Sequence, residues 1–189
     1  EAKAAVTGGV TSFMEMPNTV PPVFTQELLE NKYAIAADTS LANYSFYMGT
    51  SNDNIEEVLK TNAKKNDVCG VKIFMGSSTG NLLVDNPLAL NKIFGSSELL
   101  IATHCEDEQI IKTNFERIKK EKVILEPSDH PLIRNAEGCF ESSFKAIQYA
   151  KKYGSRLHIL HISTERELQL FTNMIPLEDK RITAEVCVH

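Results

Sequence analysis

The chain has 189 residues, of which 42% are hydrophobic and 24% charged, and its formal net charge is −5. This length suits one domain with one core, so we predict that residues 1–189 form part of a single domain. The acidic balance, without a basic stripe, argues against a nucleic-acid partner. No apolar run approaches the roughly 20 residues needed to cross a bilayer, which argues against a membrane protein. The four cysteines are widely spaced and form no C-x-x-C pair, which favours a reducing, cytoplasmic compartment.

Strand-like and helix-like segments alternate along the chain. Apolar runs predict strands at 10–16, 42–48, 68–75, 99–104, 156–162 and 181–188. Apolar residues at helical spacing predict helices at 25–37, 52–64, from Asn86-Pro87 onward, and at 110–123, 136–153 and 165–173. This alternation is typical of βαβ units and a parallel sheet. The segment 106–134 makes the connection between the strands at 99–104 and 156–162 the longest one. A long connection at the carboxyl end of a barrel usually contributes to the active site.

Two α/β architectures are compatible with six such strands. One is a doubly wound sheet and the other is part of a (β/α)8 barrel, and periodicity does not separate them. The glycine fingerprint of a dinucleotide-binding fold is absent, because Gly8-Gly9 precedes a strand instead of following one. This absence favours the barrel.

Lys72 lies in the middle of the apolar run GVKIFMG. A lysine inside a buried strand is costly unless it is paired or modified. Two interpretations stay open at this point. The amine could reach a carboxylate at the rim of the sheet. Alternatively, it could be a functional group at the carboxyl end of the strand, where the active sites of barrels lie.

Two histidines end later strands in a similar way. His104 ends LLIATH and is followed by an acidic cluster, and His161 ends LHILHI. His158 lies three residues before His161, so regular alternation predicts that the two face opposite sides of the sheet. A single histidine of this kind is more often a satisfied core residue than a ligand. Two of them, with Lys72 on a third strand, indicate a metal site, and neutral imidazole suits zinc.

Other polar residues are weaker candidates. Asn18 follows the first strand in the segment MPNT, where Pro-Asn makes a turn or aims an amide at a polar substrate group. We expect Glu185 to be a core or supporting acid, and Arg134 to brace its loop. His189 is the last residue, and the sequence does not define its setting.

The segments MPNT, GVKIFMGSSTG, THCEDE, HPLIRNAEG, LHILHIST and ITAEVCVH, in this order, resemble the amidohydrolase superfamily and, within it, the dihydroorotases. The resemblance extends over essentially the whole chain, although the lysine segment is shared with dihydropyrimidinases and allantoinases. It implies a (β/α)8 TIM barrel of the metal-dependent hydrolase type, in which the six predicted strands are about strands two to seven.

The resemblance also implies roles for individual residues. Lys72 would react with carbon dioxide to give a carbamate that bridges two zinc ions, and His104 and His161 would bind the second of these ions. Asn18 would bind the substrate carboxylate. The family's H-x-H-x-R strand, and the aspartate that serves as ligand and general base, do not lie in these residues. We therefore assign no catalytic residue within the chain, which resembles an excerpt of a longer enzyme.

The function implied by the resemblance is that of a dihydroorotase. Such an enzyme reversibly hydrolyses the cyclic amide of dihydroorotate to N-carbamoyl-aspartate in pyrimidine biosynthesis. A hydantoinase, dihydropyrimidinase or allantoinase with the same metals is the second possibility. A barrel without catalytic activity, acting as an assembly partner, is the third. We expect a small-molecule cyclic amide as the partner, and homo-oligomerisation is possible.

Overall fold

The computed structural model describes residues 1–76 and 81–187. Most of the predicted loop after Gly76, the end of the last predicted strand and His189 lie outside the described residues. Six parallel strands form one sheet within the described part of the chain. They are β1 (Ser12–Glu15), β2 (Asn43–Gly49), β3 (Gly70–Phe74), β4 (Ile101–His104), β5 (Leu157–Ile162) and β6 (Ile182–Val186).

The strands lie in the sheet in the same order as in the sequence. A doubly wound sheet reverses its strand order at a switch point, whereas a barrel adds each strand beside the previous one. The described sheet has no reversal. It therefore confirms the α/β prediction and the arrangement of six consecutive strands of a barrel.

The helices lie between the strands, as the alternating pattern predicts. They are α1 (Ala2–Thr7), α2 (Gln26–Thr39), α3 (Ile55–Lys60), α4 (Pro87–Ser96), α5 (Glu108–Glu121), α6 (His130–Ile133), α7 (Ala136–Tyr153) and α8 (Glu165–Leu168). The predicted cap at Thr25 is confirmed, because its hydroxyl accepts a hydrogen bond from the Leu28 amide at 3.2 Å. Gly154 ends α7 with a left-handed φ of 66°. None of the described helices is both long and apolar enough to span a bilayer.

Two helices are shorter than the sequence predicts. The segment predicted as one helix at 52–64 is α3 followed by a 3-10 turn at Thr61–Lys64. The helix predicted at 165–173 ends at Leu168. There the amides of Gln169 and Leu170 bond to carbonyls three residues back, which is the tighter pattern that often ends a helix.

The sheet has two different faces. The main apolar core lies between the strands and the helices, and it includes Val71, Ile73, Ile101 and Ile159. We call the opposite side the inner face. It carries a smaller buried cluster of Tyr47, Ala102 and Leu160. Because side chains alternate along a strand, every second residue of β3, β4 and β5 is directed to this inner face.

The two edge strands expose apolar side chains, which gives a prediction for the chain expressed by itself. Met14 on β1 is 61% exposed and Val186 on β6 is 66% exposed. Exposed apolar edge strands promote pairing between molecules, and charged residues on the edge prevent it. We expect the 189-residue chain to self-associate, and the double substitution Met14→Lys and Val186→Lys to increase the monomer fraction in size-exclusion chromatography.

A matched control for this prediction adds the same charge away from the sheet. Val123 and Ile124 are 99% and 78% exposed and lie after α5. We expect lysine at both of these positions to leave the self-association largely unchanged. A chain that is already monomeric without any substitution would contradict the prediction.

Candidate metal centre

The hydrogen-bond register of the sheet brings the predicted site residues to neighbouring positions. Lys72 on β3 is paired with Ala102 on β4, and Phe74 is paired with His104. Ala102 is in turn paired with His158 on β5. Since Ala102 is part of the inner-face cluster, Lys72 and His158 in the same row also face inward. His104, two residues after Ala102, lies on the same face at the carboxyl end of β4.

His161 reaches this face through an irregularity in β5. Its φ is 40°, which is uncommon for a residue other than glycine, and the pairing of β5 with β6 shifts between Ile159 and Ile162. His158 and His161 therefore both face inward, although they are three residues apart. The prediction that they face opposite sides was wrong, because it assumed a regular strand.

The imidazoles of His104 and His161 meet at the strand ends. His104 Nδ1 lies 3.1 Å from His161 Nε2, and the ring centroids are 4.9 Å apart. Burial lowers the pKa of His161, and the neighbouring His104 lowers it further. A nearby lysine charge, that of Lys72, acts in the same direction. These interactions favour the neutral imidazole, which is the form that binds metal ions.

Lys72 is almost completely buried, with 2% of its surface exposed. Its Nζ donates a hydrogen bond to the Ile73 carbonyl at 3.1 Å and lies 3.8 Å from the centroid of the Phe74 ring. The ion pairs formed within residues 1–76 and 81–187 do not include this amine. Burial lowers its pKa to about 7, because a charged amine is poorly solvated there. The described carboxylates thus do not provide the rim partner considered from the sequence.

Glu106 and Arg134 adjoin His104 on the side away from His161. Glu106 Oε2 lies 2.6 Å from His104 Nε2, and Arg134 Nε donates to Glu106 Oε1 at 2.8 Å. Arg134 Nη2 also contacts Oε2. Burial alone would raise the pKa of Glu106, but the hydrogen bonds from His104 and Arg134 outweigh it and hold this pKa at about 2. Glu106 is therefore a carboxylate.

Sequence reasoning did not assign a role to Glu106. The available signal was its position two residues after His104, because residues two apart in an extended segment lie on the same side. Arg134 was predicted to brace its loop, and the structure shows that it binds the Glu106 carboxylate.

Glu185 is exposed on β6 and is not a core residue, and its Oε2 lies 3.1 Å from His158 Nε2.

Asn18 is exposed in the loop after β1. This loop is tied to the end of β2, because the Val23 amide donates to the Pro17 carbonyl at 3.0 Å and the Gly49 amide donates to the Val23 carbonyl at 2.9 Å. The carboxyl ends of parallel strands meet at one edge of the sheet, so Asn18 shares an edge with the histidine pair. Its binding of a substrate stays a prediction.

The donor atoms can be compared with the requirements of zinc. Two nitrogen ligands at about 2.0–2.1 Å from a tetrahedral ion are roughly 3.3 Å apart, close to the 3.1 Å between His104 Nδ1 and His161 Nε2. Within the described residues, no group of three or more His, Cys, Asp or Glu side chains is arranged to hold a metal. Catalytic zinc usually has three protein ligands. The spacing of the two histidine nitrogens fits zinc, and the described residues supply no third ligand of these types.

Comparisons with known proteins agree with the resemblance noted in the sequence. No protein-family model matches the chain. A dihydroorotase of Methanosphaera stadtmanae is 29% identical over 89% of this chain and 38% of its own length. An allantoinase of Deinococcus radiodurans is 26% identical over 99% of this chain and 42% of its own length.

A solved structure shows the same arrangement of strands and helices. The L-hydantoinase (dihydropyrimidinase) of Arthrobacter aurescens superposes with a TM-score of 0.82 and 25% identity, over 89% of this chain and 38% of that protein. The chain thus spans about two-fifths of the length of the relatives it matches. Over that stretch, the comparisons confirm the predicted barrel fold and the resemblance to the cyclic amidohydrolases.

Proposed function

We propose that the protein containing this chain is a zinc-dependent cyclic amidohydrolase that hydrolyses dihydroorotate. The observation that carries the proposal is the pair of facing nitrogens on His104 and His161, 3.1 Å apart, beside the buried amine of Lys72. These three residues lie on three adjacent parallel strands. Relatives named dihydroorotase and allantoinase, and a structure named hydantoinase, support the general reaction class.

Lys72 would become a metal ligand by reaction with carbon dioxide. Its uncharged amine nitrogen attacks the carbon of CO2, an N–C bond forms as one C–O π bond opens onto oxygen, and the nitrogen releases one proton to solvent. The product is a carbamate anion with two oxygen donors. Burial disfavours the ammonium form of Lys72, so the reactive uncharged amine is favoured in the folded protein. The carbamate, in turn, requires cations nearby to be stable at a buried position.

The chain's own residues then hold and orient the reacting groups. His104 Nδ1, His161 Nε2 and the modified Lys72 would hold the metal. When bound, zinc would supply a water whose pKa is lowered to about 7 and would polarise the carbonyl of the cyclic amide. The buried cluster of Tyr47, Ala102 and Leu160 on the inner face excludes water below the site. The resemblance places the general base, an aspartate, outside these residues.

The choice among cyclic amides depends on Asn18. Dihydroorotate carries a carboxylate, whereas hydantoin, dihydrouracil and allantoin do not. An exposed amide on a loop at the same edge of the sheet offers two N–H donors to that carboxylate. We therefore favour dihydroorotate and keep hydantoinase, dihydropyrimidinase or allantoinase activity as the alternative.

The first test replaces the lysine in the complete protein. We expect Lys72→Ala to abolish stoichiometric zinc binding and to reduce kcat/KM for dihydroorotate roughly 1,000-fold, because loss of metal removes several kcal/mol of transition-state stabilisation. Zinc is measured by atomic absorption. The matched control is Lys92→Ala, which removes an exposed lysine paired with Glu56 and should leave both values unchanged.

Two results of this test would contradict the proposal. A Lys72→Ala protein that keeps both zinc and activity would exclude the metal role of Lys72. A wild-type protein that binds no zinc and hydrolyses none of the cyclic amides would instead favour the assembly partner without catalytic activity.

The second test separates the substrates. We expect Asn18→Ala to reduce kcat/KM for dihydroorotate by about 10- to 100-fold, since a hydrogen bond to a charged group contributes roughly 1.5–3 kcal/mol. Hydrolysis of hydantoin and dihydrouracil, if present, should change by less than about twofold. Asn66→Ala is the control, because Asn66 is exposed in the turn before β3, at the opposite end of the sheet. Equal losses on all substrates would contradict carboxylate recognition by Asn18.

A further inference from the structure

We propose that Glu106 and Arg134 are positioning residues for zinc, an inference that rests on the metal site proposed above. Glu106 accepts a hydrogen bond from His104 Nε2 at 2.6 Å, and its other oxygen accepts one from Arg134 Nε at 2.8 Å. Hydrogen bonds link the side chains of Arg134, Glu106 and His104, from the loop before α7 to the end of β4. Neither Glu106 nor Arg134 touches the metal in this proposal.

The hydrogen bonds define which nitrogen of His104 carries the proton. A carboxylate only accepts hydrogen bonds, and both oxygens of Glu106 also accept from the Arg134 guanidinium. A metal-binding imidazole donates through one nitrogen and binds the ion through the other, so the nitrogen beside the Glu106 carboxylate, Nε2, is the donor and Nδ1 has the lone pair. Nδ1 is the atom that lies 3.1 Å from His161 Nε2. Glu106 thus presents the free lone pair of His104 to the position where an ion would contact both rings.

The backbone around Glu106 is held on several sides. Glu106 is 7% exposed, and Gly76 packs so closely against it that an added Cβ would lie 2.8 Å from the Glu106 carbonyl carbon. The next residue, Asp107, accepts the Ile110 amide at 3.0 Å as the cap of α5, and its own amide donates to the Gly138 carbonyl at 3.0 Å. A carboxylate on such a fixed backbone can orient an imidazole without itself rotating.

Arg134 contributes a geometry that lysine does not have. The guanidinium contacts both oxygens of Glu106 through Nε and Nη2, which fixes the plane of the carboxylate as well as its charge. Lys at this position would keep the charge but lose the second contact. We therefore expect Arg134→Lys to weaken the orientation of His104 less than loss of the Glu106 charge does.

The test measures zinc affinity in the complete protein by competition with a chelator. Partners that orient a metal ligand typically contribute 10- to 100-fold in metal affinity. We expect Glu106→Gln to weaken zinc binding by about this amount, and Arg134→Lys by a smaller but measurable factor of up to about tenfold. The matched control is Glu137→Gln, which removes the charge of another glutamate that pairs with an arginine, Arg166, on the exposed surface. This control should bind zinc as the wild type does.

A spectroscopic readout distinguishes positioning from a general loss of structure. In protein labelled with ¹⁵N-histidine and loaded with zinc, the wild-type His104 signal should report a proton on Nε2. His104→Asn identifies that signal. In Glu106→Gln, we expect this signal to broaden or to show the second tautomer, while the thermal unfolding temperature of the metal-free protein stays within a few degrees of wild type. A Glu106→Gln protein with wild-type zinc affinity would overturn the inference.

The outcomes also separate this inference from the proposed function. If His161→Asn weakens zinc binding and Glu106→Gln does not, the metal site stands and the positioning role fails. If the wild type binds no zinc, the proposed function itself fails. Should Glu106→Gln prevent folding, Arg134→Lys decides the question, because wild-type zinc affinity in that variant would equally overturn the inference.

Discussion

The left-handed backbone of His161 determines which side chains meet at the end of the sheet. Parallel pairing brings Lys72 and Ala102 into one row and His104 into the next, and these positions follow from regular geometry. In a regular strand, His161 would be on the same side as Leu157 and Ile159. It would then be directed into the helix-covered core. Its φ of 40° and the shifted register move the imidazole to the inner face. A strained conformation of this kind persists only where surrounding structure holds it, which is common at functional sites.

The inner face below the site disfavours charge. Burial lowers the pKa of Lys72 to about 7, and it raises the pKa of Tyr47 to about 12, with neighbouring Cys69 and Glu185 adding to the second effect. A base and an acid on this face are thus both shifted toward their neutral forms. An anion formed at Lys72 would therefore be stable only beside a cation. In the proposed function, the burial that favours the reactive amine would also make the modified residue depend on metal.

Much of this arrangement could be predicted from the sequence, and the missing parts have physical reasons. The apolar runs predicted all six strands, and the positions of Lys72 and His104 near strand ends predicted their shared edge. The inward direction of both His158 and His161 could not be predicted, because alternation describes only an unbroken strand. The contact between Glu106 and Arg134 joins residues 28 positions apart, and local pattern carries no information about such a pair. The ends of α3 and α8 depended on a change to the tighter hydrogen-bond pattern between residues three apart, which apolar spacing does not define.

The contact between Arg134 and Glu106 gives a structural role to the long segment between β4 and β5. After Glu106 the chain forms α5, a 3-10 turn and α6 before Arg134 returns to the end of β4. A direct connection of βαβ length could cover the sheet, but it would not bring a guanidinium back to the carboxylate beside His104. In the proposed function, the residues on β3, β4 and β5 define a reaction that several ring substrates could share. The loops around them carry Asn18 and Arg134. Arg134 binds the Glu106 carboxylate beside His104, and in the same proposal Asn18 selects the ring.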